Sequence, residues 1–378
     1  MMRKIGILSI ASPDDGGVYQ YTLSLLEAVK FISGKFKFVQ IRYPDFPKIL
    51  EDDVVIYKNS SINLKIRQVV HVYFDLVFGN LAPKVDVDLI ISPSITLLPF
   101  HMKKQYIVTI HDFQHEYYPE FFSFKEKISR KVVYKTGQKA SLVICESNYV
   151  KQDVIRFLKV PDRKIKVLPA PPPRYIREVK ISEDKLEQVR GKYSLPSQYL
   201  FYPAQFWYHK NHIKLLESIK LIKSKYNISI PVIFVGSKKN NFENVMKKIH
   251  ELGLSKQIKY LGYVPQEDMP YLYKLSTALV MPTLFESVSI PIWEAFYLGV
   301  PVVSSNVCAL PEQVGDAGLL FDPNNIEDMA EKILTIWTNE ELRIKLSQRG
   351  YERVKGLTIE NYATQWRKIL EEIINGKL

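Results

Sequence analysis

The feature that most constrains the fold is a rhythm. Short β-branched runs alternate with helical stretches, the alternation breaks once, and then it begins again. RKIGILSI (3–10), FKFVQIRY (36–43), VVIYK (54–58), VDLIIS (87–92), YIVTIHD (106–112), LVICES (142–147) and IKVLPA (165–170) read as strands. Between them lie amphipathic stretches: after Gly17, the residues Val18, Tyr21, Leu25, Ala28 and Ile32 recur at three-to-four spacing and give one apolar face to a sheet. Such an alternation is the pattern of a parallel α/β sheet. From Ala170 to Gln198 three consecutive prolines and a charged stretch interrupt it, which marks a domain boundary. It then restarts with YLFYPA (199–204), VIFVGS (232–237), IKYLGY (258–263), ALVMPT (278–283), PVVSS (301–305) and GLLF (318–321). The fold class is therefore α/β, with two doubly wound, Rossmann-like domains facing a central cleft, over residues 1–175 and 176–357. From about Ile326 to the end the chain reads as wholly helical.

Composition narrows the classes. A chain of 378 residues with 46% apolar and 24% charged residues is globular and too long for one ordinary core. No apolar run approaches the roughly 18 to 20 residues of a spanning helix. The basic start MMRKIGILSI resembles a signal peptide but meets Pro13, Asp14 and Asp15 rather than small residues, so it reads as a first strand. Two cysteines, Cys145 and Cys308, support neither a disulfide framework nor a thiolate metal site and fit a cytoplasmic protein. The net charge of +12 is concentrated between 101 and 250, where 29 Lys and Arg face 13 Asp and Glu. Nucleic acid, an anionic membrane surface or a phosphorylated substrate would each suit that field, as would a merely solvated lysine face. The basic residues show no RNP-like or helix-turn-helix context, which argues against nucleic acid.

Several constellations could carry chemistry. Gly16 and Gly17 stand at the mouth of a helix after a strand, where backbone can approach a ligand closely; an ordinary strand-to-helix turn uses the same residues. His111 and Asp112 end a strand, and the carboxyl ends of strands face the ligand crevice in open α/β sheets; His111 either meets a sugar hydroxyl there or bonds neighbouring backbone. Lys210 and Asn211 precede a helix, a good place for a diphosphate contact, though a surface lysine would look alike. In PTLFESVSIPIWEAF (282–296), Pro291 suits a first helical turn, which places Glu286 in the loop ahead and Glu294 inside the helix. Two carboxylates then flank the amides of Val288, Ser289 and Ile290, and one segment could hold a sugar, a diphosphate and a ribose. Asp86 and Asp88 imitate a metal-binding pair but open an apolar strand, so no metal is assigned. The segment 115–140 mixes aromatics with Lys125, Lys127, Arg130, Lys131, Lys135 and Lys139 and reads as a basic amphipathic helix, lying on an anionic bilayer or facing the core with a solvated back.

Taken in order, these features resemble glycosyltransferase family 4, the retaining enzymes of GT-B fold, over nearly the whole chain. The resemblance rests on Gly16-Gly17, His111-Asp112, the stretch 145–170, Lys210-Asn211, the stretch 258–287, and Glu286 with Glu294 as the E-x7-E pair followed by GVPVVSS and PEQVGDAGLLFDP. It implies that Glu286 contacts the donor sugar, Glu294 the nucleotide ribose, and Lys210 the diphosphate. The amides of Val288 to Ile290 would cap phosphate and sugar, His111 would lie against the donor sugar, Gly16 and Gly17 would line the diphosphate and acceptor side, and backbone near Tyr263 and Val264 would meet the base. It also implies that the final helix, within 358–378, packs back on the first domain. Two departures stand out. Gln205, on the donor side, occupies a position where many members have Arg, with Ala204 in place of Gly, and Ser287-Val288-Ser289 replaces Gly-Phe-Gly.

The implied reaction moves a hexose from a UDP- or GDP-linked sugar to a glycan or polyprenyl-diphosphate-linked glycan of a cell-surface polysaccharide pathway. Lys210 and the helix start would carry the leaving-group charge, with neither metal nor cofactor. A peripheral position on the inner membrane face fits the basic segment. A nucleotide-sugar epimerase of the same fold, or a non-catalytic glycan- or nucleic-acid-binding protein, are the rival readings.

Overall fold

A computed structural model describes residues 2–32, 34–56 and 83–376. The chain forms two compact units, one of residues 1–171 with 357–378 and the other of 172–356. Among the described residues the first unit holds a parallel sheet of β1 (Arg3–Ser9), β2 (Phe36–Arg42), β3 (Asp53–Val55), β4 (Leu89–Ser92), β5 (Gln105–Thr109), β6 (Leu142–Cys145) and β7 (Ile165–Val167) in the order β3-β2-β1-β4-β5-β6-β7. Tyr57 and Lys58, expected to continue the strand at 54–58, lie outside the described residues.

The second unit repeats the design with β8 (Leu200–Pro203), β9 (Val232–Val235), β10 (Ile258–Tyr260), β11 (Ala278–Met281), β12 (Val302–Ser305) and β13 (Gly318–Phe321) in the order β10-β9-β8-β11-β12-β13. Strand order reverses between β1 and β4 in the first sheet and between β8 and β11 in the second. Loops leaving the carboxyl ends of those strands part there and leave a crevice, the usual ligand position in an open parallel sheet.

The strands are apolar on both sides because helices cover both faces. In the first sheet Ile5, Ile7, Ile91, Ile107 and Ile144 face one core, while Leu8, Ile41, Ile90, Val108 and Val143 face the other. The final helix, Ile359–Ile374, completes the former: it begins at Thr358, whose side chain accepts from the Asn361 amide, and buries Tyr362, Trp366, Ile369, Leu370 and Ile373 along one stripe against Ile5, Leu25 and Leu26. Asp86 and Asp88 are engaged at the start of β1: Asp86 with the Lys4 ammonium, and Asp88 with the Lys4 amide at 2.9 Å.

The segment 115–140 is broken, not one helix. It comprises Gln114–Tyr117, a 3-10 turn Pro119–Phe121, the helix Phe124–Tyr134 and a turn Thr136–Lys139. Pro119 cannot continue the first helix. Ser123 and Glu126 start a new one by a reciprocal capping box. No helix of the described residues is long and apolar enough to cross a membrane.

Candidate functional site

In the second unit the switch point is built by two loops stitched together. After β8 the chain passes Gln205, makes a 3-10 turn over Tyr208–Lys210, and enters the helix His212–Tyr226 through Asn211, whose φ of 58° lies in the left-handed region. Asn211 tolerates it because its buried side chain donates to the carbonyls of Pro282 (2.9 Å) and Pro323 (3.1 Å). From the β11 side, Thr283 Oγ1 donates to the His209 carbonyl at 3.0 Å and the Leu284 amide to the same oxygen at 2.7 Å. The Tyr202 hydroxyl donates to the Lys210 carbonyl at 2.6 Å.

These bonds bring together the two residues the sequence singled out. The Lys210 ammonium donates to the Glu286 carboxylate, with each side chain 17% exposed. Burial first, and then the charge of Lys210, push His209 down to about 2 and His212 to about 3, so both imidazoles are neutral beside the lysine. His212 is structural: it stacks on Phe206 with centroids 4.4 Å apart. Gln205 accepts at 2.9 Å from Trp207 Nε1. Behind it Gly236 has φ 149°, and a Cβ there would lie 2.3 Å from the Ala204 carbonyl oxygen, so only glycine lets the two loops approach.

The helix Ile290–Tyr297 begins at Ser289 with Pro291 in its first turn. Ser289 is held from an unexpected side: its amide donates to Gln313 Oε1 at 2.8 Å, and Gln313 Nε2 donates back to its carbonyl at 2.7 Å. The loop of Val288, Ser289 and Ile290 is thus fixed by the short helix Leu310–Val314. One turn on, Glu294 is 3% exposed, and the hydroxyls of Tyr175 and Tyr273 donate to its two oxygens. Burial pushes its carboxyl up against the opposing pull of these two bonds. Tyr263 is 81% exposed beside Gly262, whereas Val264 is buried.

In the first unit Gly16, at φ 56°, ends a 3-10 turn and Gly17 opens the helix Gly17–Ala28. A Cβ at Gly16 would meet open space, so the backbone angle, not crowding, calls for glycine. That helix carries Tyr21, which meets the His111 ring edge-on at 4.9 Å and shares a hydrogen bond with Thr109 at 3.1 Å. His111, just beyond β5, is clamped: Nδ1 lies 2.9 Å from Glu146 Oε2 and Nε2 lies 2.8 Å from the Pro93 carbonyl. Burial works against its charge, but the Glu146 carboxylate and that carbonyl outweigh it and raise its pKa. Two acceptors facing two ring nitrogens suit the doubly protonated imidazolium.

Glu146, Tyr175, Tyr273 and Gln313 were not found from sequence. Glu146 had a usable signal, since it follows β6 as His111 follows β5. The tyrosines and Gln313 had none, because their targets lie 119, 21 and 24 residues away.

Two parallel-sheet units of matching strand order, with the Lys210–Glu286 pair at the switch point of the second, define a GT-B type protein. The chain belongs to glycosyltransferase family 4 and is a glycosyltransferase. The family model described as glycosyltransferase family 4 matches residues 38–171, and that described as glycosyl transferases group 1 matches 185–353. The O-antigen chain mannosyltransferase B of Escherichia coli is 33% identical over 270 residues, 70% of each chain. The O-antigen chain mannosyltransferase RfbU of Salmonella typhimurium is 22% identical over 327 residues, 85% of this chain and 87% of its own. The fold matches sucrose-phosphate synthase of Thermosynechococcus elongatus with a TM-score of 0.79 at 18% identity, covering 99% of this chain and 100% of that one. It also matches Anabaena HepE in complex with UDP and glucose, with a TM-score of 0.76 at 19% identity, covering 98% and 100%.

Proposed function

We propose that this glycosyltransferase transfers a mannosyl residue, with retention, from a nucleoside-diphosphate mannose, GDP-mannose first among them, to an O-antigen-type glycan carried on polyprenyl diphosphate at the cytoplasmic face of the membrane. The likeness to O-antigen mannosyltransferases supports the sugar and the pathway. The observation that carries the chemistry is the meeting of Lys210 with Glu286 at the second switch point.

The pair presents a cation and an acceptor in one partly buried place. An arriving diphosphate competes for the Lys210 ammonium, and as the lysine turns to it the Glu286 carboxylate is released to accept from sugar hydroxyls. The bond from the anomeric carbon to the diphosphate oxygen then lengthens and loads negative charge onto the phosphate. Lys210 stabilises that charge, together with amides at the start of the helix Ile290–Tyr297, without calling on a metal. The acceptor oxygen bonds the anomeric carbon on the face the diphosphate leaves, and its proton passes to the departing phosphate oxygen. Glu286 positions the sugar and forms no covalent bond, while Glu294, oriented by two phenols, receives the ribose.

The test is thermal stabilisation by GDP, UDP, ADP and dTDP and their sugars without added divalent ion, since a ligand bound only by the folded state raises Tm. GDP and GDP-mannose are expected to raise it. A rise with UDP-sugars alone would move the donor to another sugar class, and no rise with any of them would overturn the reading.

A further inference from the structure

The helix Phe124–Tyr134 has two sides of opposite character. Its inner side is anchored: Tyr134 is buried, its hydroxyl donates to the Asp112 carbonyl at 2.9 Å, its ring packs on Phe113 and His115 at 5.1 and 4.5 Å, and the Arg130 guanidinium lies over the Phe122 ring at 4.5 Å. Its outer side carries three large apolar side chains at four-residue steps, Phe124, Ile128 and Val132, which are 75%, 50% and 53% exposed. Four-residue steps advance each side chain by about 40°, so the three form one ridge roughly 12 Å long. On the same helical wheel Lys125 falls beyond one edge of the ridge and Lys127 and Lys131 beyond the other, while Lys135, the residue that follows the helix, falls within its arc. None of these four lysines pairs with a carboxylate among the described residues. Glu126, the one acid in the helix, is tied into its N-terminal cap by the Ser123 amide and hydroxyl at 2.8 and 2.7 Å.

We infer that the Phe124–Ile128–Val132 ridge is the surface by which this protein docks on an anionic phospholipid bilayer. Apolar side chains bracketed by uncompensated lysines match the two layers of such a surface: acyl chains that take Phe, Ile and Val, and phosphates that take the ammonium groups. A protein partner of ordinary interface size would need far more area than one three-residue ridge. Through the Tyr134 bond to Asp112, the docked helix is joined directly to the residue following His111, so one hydrogen bond links the membrane-facing helix to the first-unit site. This inference does not depend on the identity of the donor.

The test is sedimentation of the full chain with vesicles of phosphatidylglycerol and phosphatidylethanolamine, and with phosphatidylcholine vesicles for comparison. Binding to the anionic vesicles is expected, at least tenfold weaker on phosphatidylcholine. Lys131→Gln with Lys135→Gln should weaken it about 25-fold, from roughly fivefold for each cation near the surface. Phe124→Ser with Ile128→Ser should weaken it at least tenfold at unchanged charge. Because all four positions are exposed, both variants should keep the wild-type Tm and the wild-type response to nucleotides, which separates this test from that of the donor. Phe124→Trp gives a direct readout: its fluorescence should shift to the blue on anionic vesicles and be quenched by brominated lipid. No vesicle binding by the wild type, equal binding by both variants, an unshifted emission from Phe124→Trp, or binding to polyglutamate or DNA instead of vesicles would overturn the inference.

Discussion

Replacing Glu286 by Gln tests whether Lys210 is held in reserve for the diphosphate. In the unliganded protein the two charges are partners, and any nucleotide that draws on Lys210 must first separate them. The worth of that pair is bracketed by its burial. Fully exposed pairs contribute about 0–1 kcal/mol, and breaking a fully buried one costs about 3–5 kcal/mol. With both side chains 17% exposed, the pair falls between these limits, at about 1–2 kcal/mol. Glu286→Gln removes that competition, so titration calorimetry with the bare nucleoside diphosphate should show affinity about 5–30 times higher than in the wild type, since about 1.4 kcal/mol is a factor of ten. Turnover should fall at least 100-fold if, as proposed, that carboxylate orients the sugar. Lys210→Gln should weaken the same nucleotide by about 10–100-fold, as expected for a lost charged hydrogen bond of about 1.5–3 kcal/mol. A tenfold or larger loss of nucleoside-diphosphate affinity in Glu286→Gln would mean instead that the carboxylate itself helps to hold the nucleotide and that the pair does not keep Lys210 in reserve.

Other expectations follow from the buried polar groups. The Glu294 carboxyl is raised in the folded protein, so its contribution to stability is complete below its unfolded value near 4.5 and is lost as pH rises through the folded value. Tyr175→Phe combined with Tyr273→Phe raises that carboxyl further, and Tm measured from pH 4.5 to 8 should fall more steeply with pH than in the wild type; a parallel curve would show that the phenols do not bear on its charge. The His111 imidazole is also raised, so its stabilisation is complete below pH 6.5 and lost above the folded value. Glu146→Gln should lower the His111 titration midpoint seen by NMR and flatten the stability profile above pH 6.5, and an unmoved midpoint would contradict the clamp. Trp366→Ala, in the wholly buried stripe of the last helix, should cost about 3–5 kcal/mol in denaturant unfolding of the first unit; a cost below 1 kcal/mol would show that the helix adds little to that core.

The strands were legible because a strand buried on both faces of a parallel sheet must be an uninterrupted apolar run, and thirteen such runs stood out. Their ends were less so. YIVTIHD reads as one strand, but β5 stops at Thr109, and His111 lies just past it, bonded to Glu146 and the Pro93 carbonyl. The breaks within 115–140 escape a reading by composition, which cannot show where a chain turns; Pro119 and the Ser123–Glu126 pair carried that information. Lys210, Glu286 and Glu294 were legible as residue types at telling positions. What they touch was not: the Lys210–Glu286 pair joins residues 76 positions apart, and the Glu146, Gln313 and tyrosine partners depend on how loops meet after the sheets form.

The proposed transfer of a mannosyl residue at the second-unit switch point, with Lys210 bearing the leaving-group charge, is open to direct assay. The most direct measurement is the incubation of the purified chain with labelled GDP-mannose and lipid-linked glycan, comparing wild type with Lys210→Ala and reading the product linkage by NMR. The expected outcome is a lipid-linked product with the donor's anomeric configuration, formed at least 100-fold more slowly by the variant. Absence of transfer from GDP-mannose, inversion at the anomeric carbon, or equal rates for the two proteins would contradict it.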